Sequence, residues 1–267
     1  MYLGGLMGYP STPEKPRGRG TRDGGRGKTH PSRVPRPPSP GALRSFRARL
    51  LAWFAKHGRD LPWRRTRDPY HVTVSEFMLQ QTQVSRVLEY YPRFLERFPT
   101  MTDLAAARPK AVMEQWDGLG YYARARNLHA LAREVVRDHD GTTPREPAEL
   151  IKLPGVGRYT AGAVASFAYE KPVAAVDTNV ARVIMRYFWG MRDGGLGKSP
   201  RHTHPSSRIP HPRIKDIWRL AEALVPRNGK RAWSFNQALM ELGALVCVAR
   251  KPRCGECPVR RGCRTGG

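Results

Sequence analysis

The chain contains four cysteines, and all of them lie near its C-terminal end at Cys247, Cys254, Cys257 and Cys263, spaced C-x6-C-x2-C-x5-C. Thiolates at this density bind structural zinc or an iron–sulfur cluster. A zinc ribbon usually supplies two close pairs of cysteines, whereas only Cys254 and Cys257 form such a pair, so one [4Fe–4S] cluster is favoured. Two disulfides would require an oxidising compartment, and no secretory signal points to one. The spacing predicts a loop that wraps a single metal centre.

The charge balance of the chain points to a polyanionic partner. Its 47 lysines and arginines outnumber 22 acidic residues, for a formal net charge of +25 over 267 residues. Nucleic acid is the usual partner of such a protein, because neutralising phosphates releases condensed counterions. A membrane surface is the rival partner, but no apolar run approaches the roughly 18 residues of a spanning helix. We expect a nucleic-acid-binding protein of the reducing cytoplasm.

The apolar pattern predicts an all-α protein. Residues 1–41 are rich in Gly, Pro, Arg and Ser, which predicts a disordered basic tail. From residue 42 apolar residues recur with helical spacing, and convincing alternating strands are absent. Residues 190–213 interrupt the pattern and are predicted to form an exposed insertion. Helices are predicted at 43–57, 71–82, 84–98, 109–117, 128–136, 158–169, 178–188, 214–225 and 233–246.

A glycine-rich turn between two predicted helices has the composition of an anion-binding hairpin. In the run Leu153-Pro154-Gly155-Val156-Gly157, the glycines allow a tight turn whose backbone N–H groups face outward at the start of the next helix. A plain helix–helix turn would also use glycine and proline. Asp177 follows twenty residues after Gly157. An acid at a helix start is often an N-cap, but at this separation it could also point back along a bound strand.

Together the hairpin, the following acid and the cysteine run resemble the helix-hairpin-helix, Gly-Pro-Asp superfamily of DNA base-excision glycosylases. The resemblance extends from about residue 61 to 263. It implies a two-lobed fold, with a six-helix lobe over about 71–176, a second lobe from 42–70 and 177–246, and a cluster loop over 247–263. It also implies that Leu153, Gly155, Val156 and Gly157 grip a phosphate of double-stranded DNA.

Two further segments are similar to the adenine-specific branch of that superfamily. They read VSEFMLQQTQV from Val74 to Val84 and WDGLGYYARARNL from Trp116 to Leu128. Relatives in the endonuclease III branch place a Schiff-base lysine where this chain has Tyr159. A phenol cannot form that imine, so the resemblance implies hydrolysis without a lyase step.

Two acids would divide the chemistry between them. Glu76 is the lone acid of an uncharged helical stretch, and burial would raise its pKa into the range of a proton donor. Capping or ion pairing is the commoner fate of such a glutamate. We expect Glu76 to protonate N7 of an extruded adenine while Asp177 stabilises the oxocarbenium-like sugar. Asn179 would orient Asp177 and the attacking water.

The resemblance also implies a base pocket and a wedge that enters the base stack. The base pocket would be lined by Trp63, Arg64, Tyr159 and Gln237. Gln80, Gln81 and Tyr121 would form the wedge beside the orphaned partner base, and Leu79 belongs with this pocket-and-wedge set.

The chain departs from the adenine branch in two respects. It has Asp177-Thr178-Asn179 where that branch commonly has Asp-Gly-Asn, and it ends four residues after Cys263. We therefore expect it to lack a C-terminal 8-oxoguanine-recognition domain and to discriminate 8-oxoguanine from guanine weakly. A monomeric glycosylase acting on adenine opposite either base is the leading hypothesis. A mismatch thymine or uracil glycosylase and a non-catalytic iron–sulfur DNA-binding protein remain alternatives.

Overall fold

A computed structural model describes residues 39–191 and 213–266 of the protein, and these residues form helices and loops without a β-strand. The predicted all-α class is confirmed. The α-helices are α1 Pro40–His57, α2 Pro69–Leu79, α3 Val84–Arg97, α4 Met101–Ala106, α5 Pro109–Trp116, α6 Ala123–Asp138, α7 Pro147–Leu150, α8 Arg158–Tyr169, α9 Thr178–Ile184, α10 Ile214–Leu224 and α11 Gly229–Leu245. Short 3₁₀ turns lie at Pro62–Arg64 and Cys254–Glu256, and a π-helical turn at Met185–Trp189 continues α9.

Proline and capping side chains define where several helices begin. Helices α1, α2, α5 and α7 each carry proline at the start, where its fixed φ suits the first turn and its missing N–H costs no hydrogen bond. Asp68 caps α2 by accepting from the backbone N–H groups of Tyr70 and His71. Thr100 and Asp103 form a reciprocal capping box at α4. These prolines and caps stabilise the first turns of the helices that they begin.

The buried apolar residues form two clusters. The larger is built mainly from helices α2 to α8, and the smaller from α1, α9, α10, α11 and the end of the chain. The extended segment between α8 and α9 joins them, since Ala175 packs into the larger cluster while Ala174 and Val176 pack into the smaller. Asp177 follows this segment directly, so the seam between the clusters positions it. The residue bounds predicted for two lobes remain a prediction.

Most predicted helices lie within a few residues of those observed. The helix predicted at 43–57 begins earlier, at Pro40, and the one predicted at 71–82 spans Pro69–Leu79. It ends there because the C-cap Gln80 has an extended backbone with ψ of 110°, and Gln81 after it is left-handed with φ of 59°. Helices α4 and α7 were not predicted, since four to six residues carry too little periodic pattern. The predicted tail, apart from residues 39–41, and all but the ends of the predicted insertion lie outside the described residues.

No helix in the described ranges has both the length and the apolar character needed to cross a membrane.

Replacing Gly162 with alanine should destabilise the protein. A Cβ at Gly162 of α8 would lie 2.3 Å from the carbonyl oxygen of Ala174, so α8 and the joining segment would have to separate. We expect Gly162→Ala to reduce the free energy of unfolding by about 1–3 kcal/mol. Gly41→Ala is the control, because a Cβ there meets only the tip of Arg44 at 4.0 Å. Equal thermal midpoints for the two variants would contradict the close approach.

Candidate active site

Glu76 lies in the last turns of α2 and is 4% exposed. The hydroxyl of Tyr159, from the first turn of α8, donates to its Oε2 at 2.8 Å. Burial raises the pKa of the Glu76 carboxyl to about 7; the hydrogen bond from Tyr159 opposes the rise, and the charge of Asp177 adds to it. Burial, followed by the charge of Glu76, also raises the pKa of Tyr159 well above its usual value, so the phenol stays a neutral donor. The carboxyl is thus poised between its two protonation states near neutral pH.

Asp177 is the N-cap of α9 and also faces Glu76. Its Oδ1 accepts from the backbone N–H of Val180 and its Oδ2 from the side-chain amide of Asn179, both at 2.7 Å. Burial raises the pKa of Asp177, while these two donors and the charge of Arg182 oppose the rise. The N-cap interpretation of this acid is therefore confirmed, and its orientation along a bound strand remains a prediction.

Arg182, one turn further along α9, was missed by the sequence analysis. Its Nη2 donates to Asn179 Oδ1 at 2.7 Å and to the carbonyl of Gly243 at 2.8 Å, and its Nε donates to the carbonyl of Cys247 at 2.8 Å. Because Asn179 Oδ1 accepts from a cation, its amide nitrogen must face Asp177. A single arginine thus joins the acid pair, α11 and the first cysteine of the cluster loop.

Arg64 and Gln237, two predicted pocket residues, contact each other. Arg64 Nε donates to Gln237 Oε1 at 2.8 Å, and Arg64 Nη2 forms an ion pair with Glu241 Oε2 at 2.8 Å. Burial alone would raise the pKa of Glu241, but hydrogen bonds from Arg59 and Arg64 outweigh it and hold that pKa at about 2. Glu241 was not predicted, although it lies one helical turn after Gln237. Trp63 packs edge-to-face on Tyr91 with ring centroids 5.4 Å apart.

The predicted wedge residues lie where α2 ends and just before α6 begins. Leu79 is partly buried against the larger cluster, and the side-chain amide of Gln80 donates to Thr160 Oγ1 at 3.4 Å. Gln81 and Tyr121 both have left-handed backbones, with φ of 59° and 49°, and both are exposed. Two solvent-facing side chains are therefore held in a conformation that non-glycine residues rarely adopt.

The predicted phosphate hairpin has an open helix start. Gly155 has φ of 73°, and a Cβ there would lie 2.6 Å from Asn127 Cβ, so this turn requires glycine. Leu153 and Val156 are buried beneath the turn, while Gly157 is exposed and begins α8 with no side-chain cap. The first backbone N–H groups of α8 therefore have no side-chain cap, and they lie beside an exposed turn. An anion-binding site requires both features.

The four cysteines converge on one loop packed against the smaller cluster. All four thiols are free and partly buried. Burial raises the pKa of Cys257 to about 11, and the charges of the other three cysteines add to the rise, so the four thiols lie near one another. Arg186 Nη1 donates to Cys247 Sγ at 3.5 Å and to the carbonyl of Val248 at 2.7 Å.

The donor set of this loop suits an iron–sulfur cluster. Four cysteine thiolates are the usual ligands of a [4Fe–4S] cubane, which binds each of them through a different iron atom. The loop therefore fits a [4Fe–4S] group held by Cys247, Cys254, Cys257 and Cys263.

Comparison with known families agrees with this geometry. Residues 74–203 match the model of the "HhH-GPD superfamily base excision DNA repair protein", and residues 247–263 match the "Iron-sulfur binding domain of endonuclease III". The second match confirms the predicted [4Fe–4S] loop.

The chain is similar to curated proteins named adenine DNA glycosylase. It is 42% identical to that of Mycobacterium tuberculosis, over 86% of this chain and 70% of the relative. It is 44% identical to that of Rattus norvegicus, over 82% of this chain and 41% of the relative. The chain thus spans less than half the length of the mammalian relatives it matches.

Solved structures share the fold. A thermostable thymine-DNA glycosylase superposes with a TM-score of 0.71 and 33% identity, covering 84% of this chain and 96% of that one. A non-covalent endonuclease III–DNA complex superposes with a TM-score of 0.67 and 26% identity, covering 85% and 95%.

The purified protein should contain iron and acid-labile sulfide at about four atoms of each per chain. Cys257→Ser should lower both together, because it removes one of the four thiolate ligands of the cluster. Elemental analysis and a sulfide assay on anaerobically purified protein provide the measurement. One zinc per chain without sulfide would contradict the cluster.

Proposed function

Because the chain belongs to the HhH-GPD superfamily of base excision DNA repair proteins, we propose that it is a monofunctional DNA glycosylase that removes adenine mispaired with guanine or 8-oxoguanine. The observation that carries the proposal is the hydrogen bond from partly buried Tyr159 to buried Glu76, beside Asp177. The similarity to proteins named adenine DNA glycosylase supports the choice of base.

Glu76 is the proposed general acid. Adenine is a poor leaving group until it is protonated, and N7 becomes accessible once the base is extruded from the duplex. A carboxyl with a pKa of about 7 is protonated in a large fraction of molecules at neutral pH and can donate that proton. The Tyr159 hydroxyl then stabilises the carboxylate left behind, through the hydrogen bond it already donates.

Asp177 is the proposed stabiliser of the sugar cation. Three surrounding groups favour its ionised form, namely the Val180 N–H, the Asn179 amide and the charge of Arg182. Breaking the glycosidic bond leaves positive charge on the sugar, which a fixed carboxylate stabilises. Asn179 is held by Arg182 and so can orient both Asp177 and the incoming water.

Hydrolysis without a lyase step follows from the residue that contacts the acid. The hydroxyl hydrogen-bonded to Glu76 belongs to tyrosine, which cannot form the imine that an amine nucleophile would form. The expected product is an intact strand that carries an abasic site.

Double-stranded DNA is the proposed partner. The net charge of +25, the open start of α8 and the similarity to an endonuclease III–DNA complex all support it. Trp63, Arg64 and Gln237 would border the extruded base, and Gln80, Gln81 and Tyr121 would occupy the vacated stack. Both acids, the hairpin and the cluster loop come from one chain, which favours a monomer acting on nucleoid DNA.

A mismatch thymine glycosylase is the second candidate. The similarity to a thermostable thymine-DNA glycosylase and Thr178 between the acid and Asn179 favour it. A pyrimidine has no N7, however, so thymine would make little use of a proton donor at Glu76. The buried acid therefore favours adenine.

A panel of duplexes tests the substrate. We expect the protein to remove adenine opposite 8-oxoguanine and guanine faster than thymine or uracil opposite guanine, as measured by alkali-dependent strand cleavage under single-turnover conditions. Glu76→Gln should slow adenine release by about 10²- to 10⁴-fold, since it cannot donate a proton. The exposed Glu114→Gln serves as control. Full activity in Glu76→Gln, or faster release of thymine, would refute the proposal.

The dependence of the excision rate on pH tests the Glu76–Tyr159 pair. The rate should fall as pH rises through about 7, because the acid must be protonated to act. Tyr159→Phe removes a hydrogen bond that favours the ionised carboxylate, so the pKa of Glu76 should rise and the falling limb should move to higher pH. Tyr169→Phe removes a hydroxyl at the other end of α8 and should leave the midpoint in place. If the falling limb of the pH–rate profile stays at the same pH in Tyr159→Phe, Glu76 is not the group that titrates.

A further inference from the structure

Arg124, in the first turn of α6, is a buried cation that no carboxylate neutralises. Its residue is 7% exposed, and in the described part of the chain no acid lies within ion-pair distance of it. Burial lowers its pKa to about 10, so the guanidinium still carries its charge at neutral pH. A buried charge without a counter-ion requires some other strong compensation.

That compensation comes from oxygen atoms of two chain segments. One segment runs from the last turn of α2 into the loop after it, and the other precedes α6. The acceptors in the first are the carbonyls of Phe77, Met78 and Gln80 and the hydroxyl of Thr82, and those in the second are the carbonyls of Leu119, Gly120 and Tyr121. Nη1 contacts only the first segment, while Nη2 contacts Thr82 at 2.9 Å and Gly120 at 3.0 Å. The planar fork therefore joins the two segments.

Both joined segments contain a residue in an unfavourable backbone conformation. Gln81 and Tyr121 have φ of 59° and 49°, in the left-handed region that side chains other than glycine rarely occupy. Such conformations persist only where the surroundings over-determine them. The carbonyls before Gln81 and before Tyr121, those of Gln80 and Gly120, are both acceptors of Arg124. The guanidinium thus fixes the peptide groups on which each strained residue depends.

Two aromatic rings also contact the guanidinium of Arg124. Its guanidinium carbon lies 5.4 Å from the ring centre of buried Trp116 and 5.4 Å from that of Tyr121, which is 54% exposed. A cation beside an aromatic face is attracted by the ring. Arg124 therefore contacts both the backbone carbonyl and the aromatic ring of Tyr121.

We propose that Arg124 is a positioning residue that holds Gln81 and Tyr121 in their left-handed conformations before DNA binds, so that the wedge is preformed. This proposal rests on the proposed function, because it assigns the exposed pair to the space left by an extruded base. A preformed wedge spares the complex the ordering of two loops at the moment of base extrusion. Arg124 itself touches neither base nor sugar in this scheme.

Two substitutions of Arg124 separate positioning from folding. Arg124→Met keeps an unbranched apolar side chain and removes all the donors, and Arg124→Lys keeps the charge but cannot form the planar fork. Arg133→Met, at an exposed position of the same helix, is the control for loss of one positive charge. Each full-length variant is measured by single-turnover excision of adenine opposite guanine and of adenine opposite an abasic site, which lacks a pairing partner. Base extrusion is followed separately by the fluorescence of 2-aminopurine at the target position.

The expected result is a selective loss. Arg124→Met should slow excision from the paired duplex by about 10- to 100-fold, the penalty typical of misplaced positioning groups, and reduce the 2-aminopurine signal. The excision rate opposite the abasic site should fall far less, because extruding an unpaired base costs less free energy. Arg124→Lys should lie between wild type and Arg124→Met, and Arg133→Met should match wild type.

Other outcomes would overturn the inference. Equal slowing on both duplexes, or no slowing on either, would show that Arg124 does not act through the wedge. If Arg124→Met fails to fold, Thr82→Val decides, since it removes one acceptor of Arg124 and should produce a smaller loss with the same selectivity. If wild type releases no adenine, the proposed function fails; the 2-aminopurine signal then still tests the wedge, and an unchanged signal in the variants would refute it.

Discussion

The burial of one carboxyl group, that of Glu76, is the constraint on which the arrangement of the site depends. The group is buried and accepts a hydrogen bond from the neutral phenol of Tyr159, while the charge of Arg64 opposes the rise of its pKa only as the smallest of four causes. A carboxyl so placed is uncharged part of the time at neutral pH, and the second acid beside it makes ionisation harder still. Burial raises the pKa of Asp177 as well, but there several donors and the charge of Arg182 favour the ionised form and oppose the rise. The two acids therefore differ in how strongly their surroundings favour ionisation.

Arginines provide much of the structural support around this pair. Arg64 pairs with buried Glu241, Arg124 joins the two wedge segments, and Arg182 joins Asn179 to α11 and the cluster loop. Each uses several donors of a planar group to fix separate parts of the chain, which a lysine could not do. Part of the net charge of +25 therefore serves the fold itself. Composition alone had pointed to a polyanionic partner as the reason for the positive excess.

Several features could be read from the sequence because local chemistry decides them. The cysteine spacing indicated the [4Fe–4S] loop, the apolar periodicity indicated the long helices, and the run from Leu153 to Gly157 indicated a tight turn before α8. Each depends on neighbours within about two helical turns. The shortest helices, α4 and α7, escaped because packing rather than pattern stabilises them.

What the sequence determined by itself was the identity of the reactive groups: a lone acid in an uncharged helix, a tyrosine in place of a lysine, and an acid that begins a helix. Only the tertiary structure decided which groups meet. The contacts of Tyr159 with Glu76, Arg182 with Gly243, and Arg124 with Phe77 join residues 83, 61 and 47 positions apart. Such contacts depend on how helices pack. Hydrogen-bond partners across packed helices are set by the geometry of the whole core, which no local pattern of residue types records.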